Sequence, residues 1–169
     1  MSANTLSGTL DSVWQTAPSL QGQQILDLGQ YLSEAKRLEQ QGELVEAIWC
    51  YETILRDPLI ADDLKTLRAA GLGLGLLLIG EARHSDDPRR TSRLVNRAIA
   101  ALNMASQTDP TDSRLGLALA EAHILRFQLS GQAQDLLAAN IQLDRLSETP
   151  APPLESIRSL RAQISRDDD

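Results

Sequence analysis

An all-α fold of antiparallel helix pairs is predicted by three features of this 169-residue chain. Its apolar residues are mostly Ala and Leu, and aromatics make up only 3%. Ala and Leu lose little side-chain freedom in a helix, whereas strands favour β-branched and aromatic residues. The larger apolar residues recur at spacings of three and four, the period of one helix face. Helix-ending signals at Gly42, Asp57-Pro58, Asp109-Pro110, Ser130-Gly131 and Pro150 to Pro153 then cut the chain into segments of helical length. No β-sheet is expected.

The elements follow in order. Residues 1–18 are polar apart from Leu6, Leu10, Val13 and Trp14, and read as a flexible N-terminal arm ended by Pro18. Ser19 is the expected N-cap of a first helix over residues 20–41, with Ile25, Leu28, Tyr31, Leu32, Ala35 and Leu38 on one face and Gly42 as its stop. A second helix, residues 44–56, carries Ala47, Ile48, Tyr51, Ile54 and Leu55. It ends at Asp57-Pro58 because the residue before proline is pushed out of the α region. A third helix starts near residue 61, with Asp62 and Asp63 in a first turn whose dipole favours acids. It runs through Leu64, Leu67, Ala70, Leu74, Leu77 and Ile79 to Arg83. Residues 84–88 form a loop whose Pro88 suits the start of the fourth helix, residues 89–107. The fifth (residues 111–129), the sixth (132–147) and, after a proline-rich link, an amphipathic seventh (154–165, with Leu154, Ile157, Leu160 and Ile164 in one stripe) complete the domain, residues 19–166.

The net charge of −7 opposes general affinity for nucleic acid or an anionic membrane. Residues 83–97 reverse that sign locally, setting Arg83, His84, Arg89, Arg90, Arg93 and Arg97 against Asp86 and Asp87. Such a run is either a solvated face or a docking patch for an acidic partner. Cys50 is the single cysteine, which rules out an intramolecular disulfide and a cysteine-based zinc cluster and leaves a small buried hydrophobe. The first ten residues lack the basic start and apolar run of a secretory signal. The longest apolar stretch, residues 69–80, is too short to span a bilayer and holds four glycines. A cytoplasmic protein without membrane insertion is the resulting expectation.

No constellation in the sequence points to chemistry. Gly71, Gly73 and Gly75 lack the preceding strand and the following Lys-Ser/Thr of a phosphate loop, so close helix packing is the better account of them. His84 and His123 are not in metal-ligand spacing, and His123 is expected to be partly buried or groove-facing within the fifth helix. No nucleophile elbow is present, and the paired acids sit at helix starts where the dipole accounts for them. A non-enzyme is expected, with no catalytic residue, metal or cofactor.

Residues 35–58 hold Ala35, Leu38, Gly42, Ala47, Tyr51 and Pro58 in the pattern A-x2-L-x3-G-x4-A-x3-Y-x6-P. This resembles the tetratricopeptide repeat (TPR), in which small residues let paired helices approach, large ones fill the groove between pairs, and Gly and Pro end helices. The closing proline comes one residue early, and Ile54 stands where the family usually has Ala. A second unit, residues 61–110, keeps Ala98, Ala105 and Pro110, with Leu102 in place of the aromatic and a longer internal loop. A third, residues 111–150, keeps Ala120, Gly131, Ala139, Leu143 and Leu146. With the first unit spanning residues 20–58, the resemblance implies a right-handed superhelix of three helix pairs with a C-terminal capping helix.

By the same resemblance, the first helix of each pair lines an inner groove, which places Leu32, Lys36 and Glu39 there. Leu32 and Lys36 do not reproduce the Lys/Asn set by which some family members clamp a chaperone's C-terminal carboxylate. The expected function is a non-catalytic protein–protein interaction module: an adaptor, scaffold or assembly factor binding a partner's peptide or helix. A permanently held structural subunit is the alternative, and an enzyme or nucleotide-binding protein the remote one. The partner-binding residues expected are Leu32, Lys36 and Glu39 with Arg83, Arg89, Arg90, Arg93 and Arg97.

Overall fold

The computed structural model describes residues 27–167. Among them are seven α-helices and no strand. In chain order they are α1 (Leu28–Gln41), α2 (Leu44–Arg56), α3 (Leu64–Arg83), α4 (Pro88–Ser106), α5 (Ser113–Ser130), α6 (Ala133–Ser147) and α7 (Leu154–Asp167), with a 3-10 turn at Pro58–Asp62 between α2 and α3. The all-helical class is as the composition required. The N-terminal arm, Trp14 and Ser19 lie outside the described residues.

Two helix starts differ from expectation, both because an aspartate caps. Asp27 is extended (φ −71°, ψ 167°), so no single helix runs over residues 20–41. Its carboxylate accepts the Gln30 N–H at 2.8 Å while the Gln30 side chain accepts the Asp27 N–H at 2.9 Å, a reciprocal capping box that starts α1 at Leu28. Asp63 does not sit in the first turn of α3 but caps it, accepting the Thr66 N–H at 3.0 Å. Residues 58–62 wind separately, opened by Asp57, which accepts the Leu59 N–H at 2.8 Å. Asp87 and Asp112 cap α4 and α5 in the same way, each such cap being worth about 1 kcal/mol. At Gly42 and Gly131 the backbone turns left-handed (φ 77° and 67°) to end α1 and α5, a conformation that glycine adopts without a Cβ penalty.

Helices adjacent in sequence pack on one another, and α3 also touches α1 and α5, while α5 also touches α7. The buried side chains form two clusters. The larger runs from Ala35 and Leu38 of α1 to Leu115, Ala118, Leu119 and Ala122 of α5. The smaller joins Ala120 and Ile124 of α5 to Ala139, Leu143 and Leu146 of α6 and to Ile157, Leu160 and Ile164 of α7. Thus α5 faces two cores, and the expected stripe of α7 covers the second, except that Leu154 remains 53% exposed.

The glycines of α3 serve packing. A Cβ on Gly71 would lie 2.7 Å from the Ala101 carbonyl oxygen and 2.7 Å from the Ala105 Cβ of α4. One on Gly75 would lie 2.4 Å from Leu102, and one on Gly73 would lie 2.6 Å from the Tyr51 ring of α2. Glycine therefore brings α3 against a helix on each side. Gly80 has open space around its missing Cβ. Gly71→Ala is expected to lower the urea midpoint, because an overpacking cost of about 1–3 kcal/mol against backbone exceeds the ~1 kcal/mol that Ala gains over Gly in a helix. Gly80→Ala is expected to raise it, through a stability gain of roughly 0.5–1 kcal/mol from propensity alone.

Candidate functional site

With α2 and α4 on its flanks, α3 keeps one strip toward solvent: Lys65, Ala69, Leu76, Gly80 and Arg83, at helical spacing, with Leu72 buried at its floor. Leu76 is 47% exposed, a large apolar side chain left uncovered in the middle of the helix, as Leu64 (54%) is at its start. On the α1 side stand the residues assigned to the groove. Leu32 is half-buried against the first core, Lys36 is exposed, and Glu39 is exposed but engaged. The Tyr51 hydroxyl donates to Glu39 at 2.9 Å while its ring fills the space left by Gly73. Burial, reinforced by that carboxylate, drives the Tyr51 hydroxyl well above its ordinary value, so it remains a donor. On the α5 side, Glu121 forms an ion pair with Arg83; burial raises the Glu121 carboxyl and the positive charge of Arg83 opposes the rise. Glu39 is therefore linked to α3 through Tyr51, and Arg83 ties α3 to α5. Lys36 and Lys65 enter no ion pair among the described residues.

The remaining arginines of the basic segment are not one patch. Arg90 pairs with Glu81 of α3 at 3.3 Å, and Arg97 pairs with Glu52 of α2. Glu52 also holds Arg56 at 2.9 Å with only 11% of its side chain exposed. Three of the five arginines are thus ties between helices. Arg89 and Arg93 stay exposed, one turn apart near the α4 N-terminus. The linear charge run could not reveal this, since the partner carboxylates come from three other helices.

A buried ionic cluster escaped the sequence altogether. Asp135, in the first turn of α6, is 1% exposed. Its Oδ1 accepts from Arg126 Nε at 2.8 Å, Arg126 Nη2 at 2.5 Å and His123 Nδ1 at 3.2 Å. Arg126 Nη1 reaches on to Asn96 Oδ1 of α4 at 3.2 Å. The Asp135 Oδ2 atom is buried without a partner. Burial alone would raise this carboxyl, but the Arg126 and His123 hydrogen bonds and charges outweigh it and hold it below the usual range. His123 moves down as well, mainly through burial, with the Arg126 charge adding to the fall and Asp135 opposing it. The residues are nine and twelve apart across the Gly131 turn, a separation with no motif.

Cys50 is buried, and burial pushes its thiol up to about 11, which leaves it a poor nucleophile. Among the described residues no three His, Cys, Asp or Glu side chains gather as a metal cage. No described helix is long and apolar enough to cross a membrane. No model of a known protein family matches the chain, and neither a curated protein nor a solved structure matches it.

Two outcomes follow from these electrostatics. A histidine whose folded value lies below its unfolded 6.5 binds its proton more readily in the unfolded chain, so its contribution is present above that pH and is lost as pH falls below it. The melting temperature is expected to drop between about pH 7 and 5, and His123→Gln to flatten that step. Arg97→Glu, which sets a carboxylate beside the largely buried Glu52, is expected to cost about 1–3 kcal/mol in urea unfolding. Arg93→Glu is expected to stay within about 0.5 kcal/mol of wild type.

Proposed function

We propose that this chain is a TPR-like α–α solenoid, a right-handed superhelix of helix pairs capped by α7, and that it acts as a non-catalytic protein–protein interaction module. As an adaptor, scaffold or assembly factor in the cytoplasm, it binds a peptide or helix of a partner along the strip where α1, α3 and α5 lie side by side. The single observation that carries this reading is the uncovered Leu76 on α3. A helix interior rich in glycine costs stability, and here that cost supports a surface on which only one side of the helix is open. Lys65 lies on the α3 strip and Lys36 on α1, both exposed and outside any ion pair among the described residues, so an amphipathic segment with acidic residues on its margins suits these helices better than a basic one. Nucleic acid suits it poorly, given the net charge of −7.

Leu137 and Ile141, 62% and 49% exposed one turn apart on α6, favour a second reading, a subunit held permanently in a larger complex. A purified chain that stays monomeric and soluble at high concentration supports the adaptor, and one that aggregates until Leu137 and Ile141 are made polar supports the subunit.

The test of the strip is affinity capture with mass spectrometry, using wild type and Leu76→Glu as bait. The variant is expected to lose the specific partner while its folding stability changes by about 1 kcal/mol or less, because the side chain is already half in water. Lys36→Glu with Lys65→Glu is expected to weaken the same capture most at low salt. Retention of every partner by Leu76→Glu would overturn the assignment of the strip.

A further inference from the structure

The two core clusters share no residue, and α6 and α7 pack on α5 and on each other. The chain enters this C-terminal pair once, at the left-handed Gly131. The main contacts between this pair and the body therefore lie in one seam along α5, and that seam is unevenly built. Its apolar part consists of Ala120 and Ile124 of α5 against Ala139, Leu143 and Leu146 of α6 and Ile157, Leu160 and Ile164 of α7. One end is a close approach, where a Cβ on Gly116 would meet Leu146 at 2.9 Å. The other end is the Asp135 cluster, the one place where α6 is tied by ionic contacts to Arg126 and His123 of α5, and through Arg126 to Asn96 of α4.

That end is held and strained at once. Asp135 gathers three donor contacts on Oδ1 and leaves Oδ2 buried without a partner. An unpaired buried acceptor is an unfavourable feature of the closed state that water relieves on opening. The α6 N-terminus beside it has no side-chain cap on Gln132, unlike the aspartate-capped α1, α3, α4 and α5.

We infer that α6 and α7 form a C-terminal unit that opens from α5 as one body about Gly131, with the Asp135–Arg126 contact as its latch. Opening uncovers the apolar face of α5 that carries Leu117, Ala120 and Ile124, a face of helix-binding character hidden in the closed state. The body formed by α1 to α5 keeps its own core throughout. This does not rest on the strip proposed above, which reaches α5 only at Glu121.

Native-state hydrogen exchange followed by mass spectrometry on the full chain, in low concentrations of urea, tests the inference. The core amides of α6 and α7 are expected to exchange as a block, at least ~tenfold faster than the slowest amides of α3 and α4. Asp135→Asn is expected to speed that block by a further ~tenfold or more while α3 and α4 change far less. Gly116→Ala wedges the far end of the seam without touching charge and is expected to act in the same direction, which keeps the test decisive if the Asp135 variant does not fold. Equal protection of α6–α7 and α3–α4 in the wild type would overturn the inference. So would variants that accelerate exchange uniformly through all seven helices.

Discussion

The close approach of α3 to its two flanking helices is the constraint on which the rest of the structure depends. Gly71 and Gly75 meet Ala101, Ala105 and Leu102 of α4, while Gly73 meets Tyr51 of α2. With helix backbones this near, van der Waals contact is made by small residues along much of the helix, and a few large ones lock into the gaps. Few aromatics are then needed: Tyr51 is the one among the largest fully buried side chains. Covering α3 on both flanks also dictates what stays open, namely the strip that includes Leu76.

Charge completes what apolar packing begins. Glu52 joins α2 to α4 through Arg97, Glu121 joins α5 to α3 through Arg83, and Glu39 joins α1 to α2 through Tyr51. Each lies at the margin of the core, where partial burial strengthens an ion pair or hydrogen bond without the full desolvation penalty of the interior. Asp135 is the exception, nearly fully buried and only half satisfied. Its position beside the second core sets a partly satisfied buried carboxylate at the junction of α5 and α6.

The helices themselves were largely legible in the sequence, because their signals are local. Six of the seven described helices have both ends within a few residues of where proline, glycine and apolar period put them. Those shifted most, at Asp27 and Asp63, moved because an aspartate can act as a cap or as a first-turn acid, and only the backbone conformation distinguishes the two. The glycines of α3 were legible as packing residues, though not which neighbour each would meet. The candidate site was legible only in part. Leu32, Lys36 and Glu39 were named, but Leu76 looked like one more apolar residue in an apolar run.

By itself, the sequence determined an all-helical chain, its punctuation and its net acidity, since these depend on propensity, period and composition within a turn or two of each residue. Only the tertiary structure decided which charges are free and which side chains are uncovered. Five arginines close in sequence separate into three helix ties and two exposed groups because their carboxylates arrive from other helices. His123, Arg126 and Asp135 become one cluster because the turn at Gly131 folds α6 back along α5. Such pairings form across tens of residues or across a turn, and no local pattern encodes them.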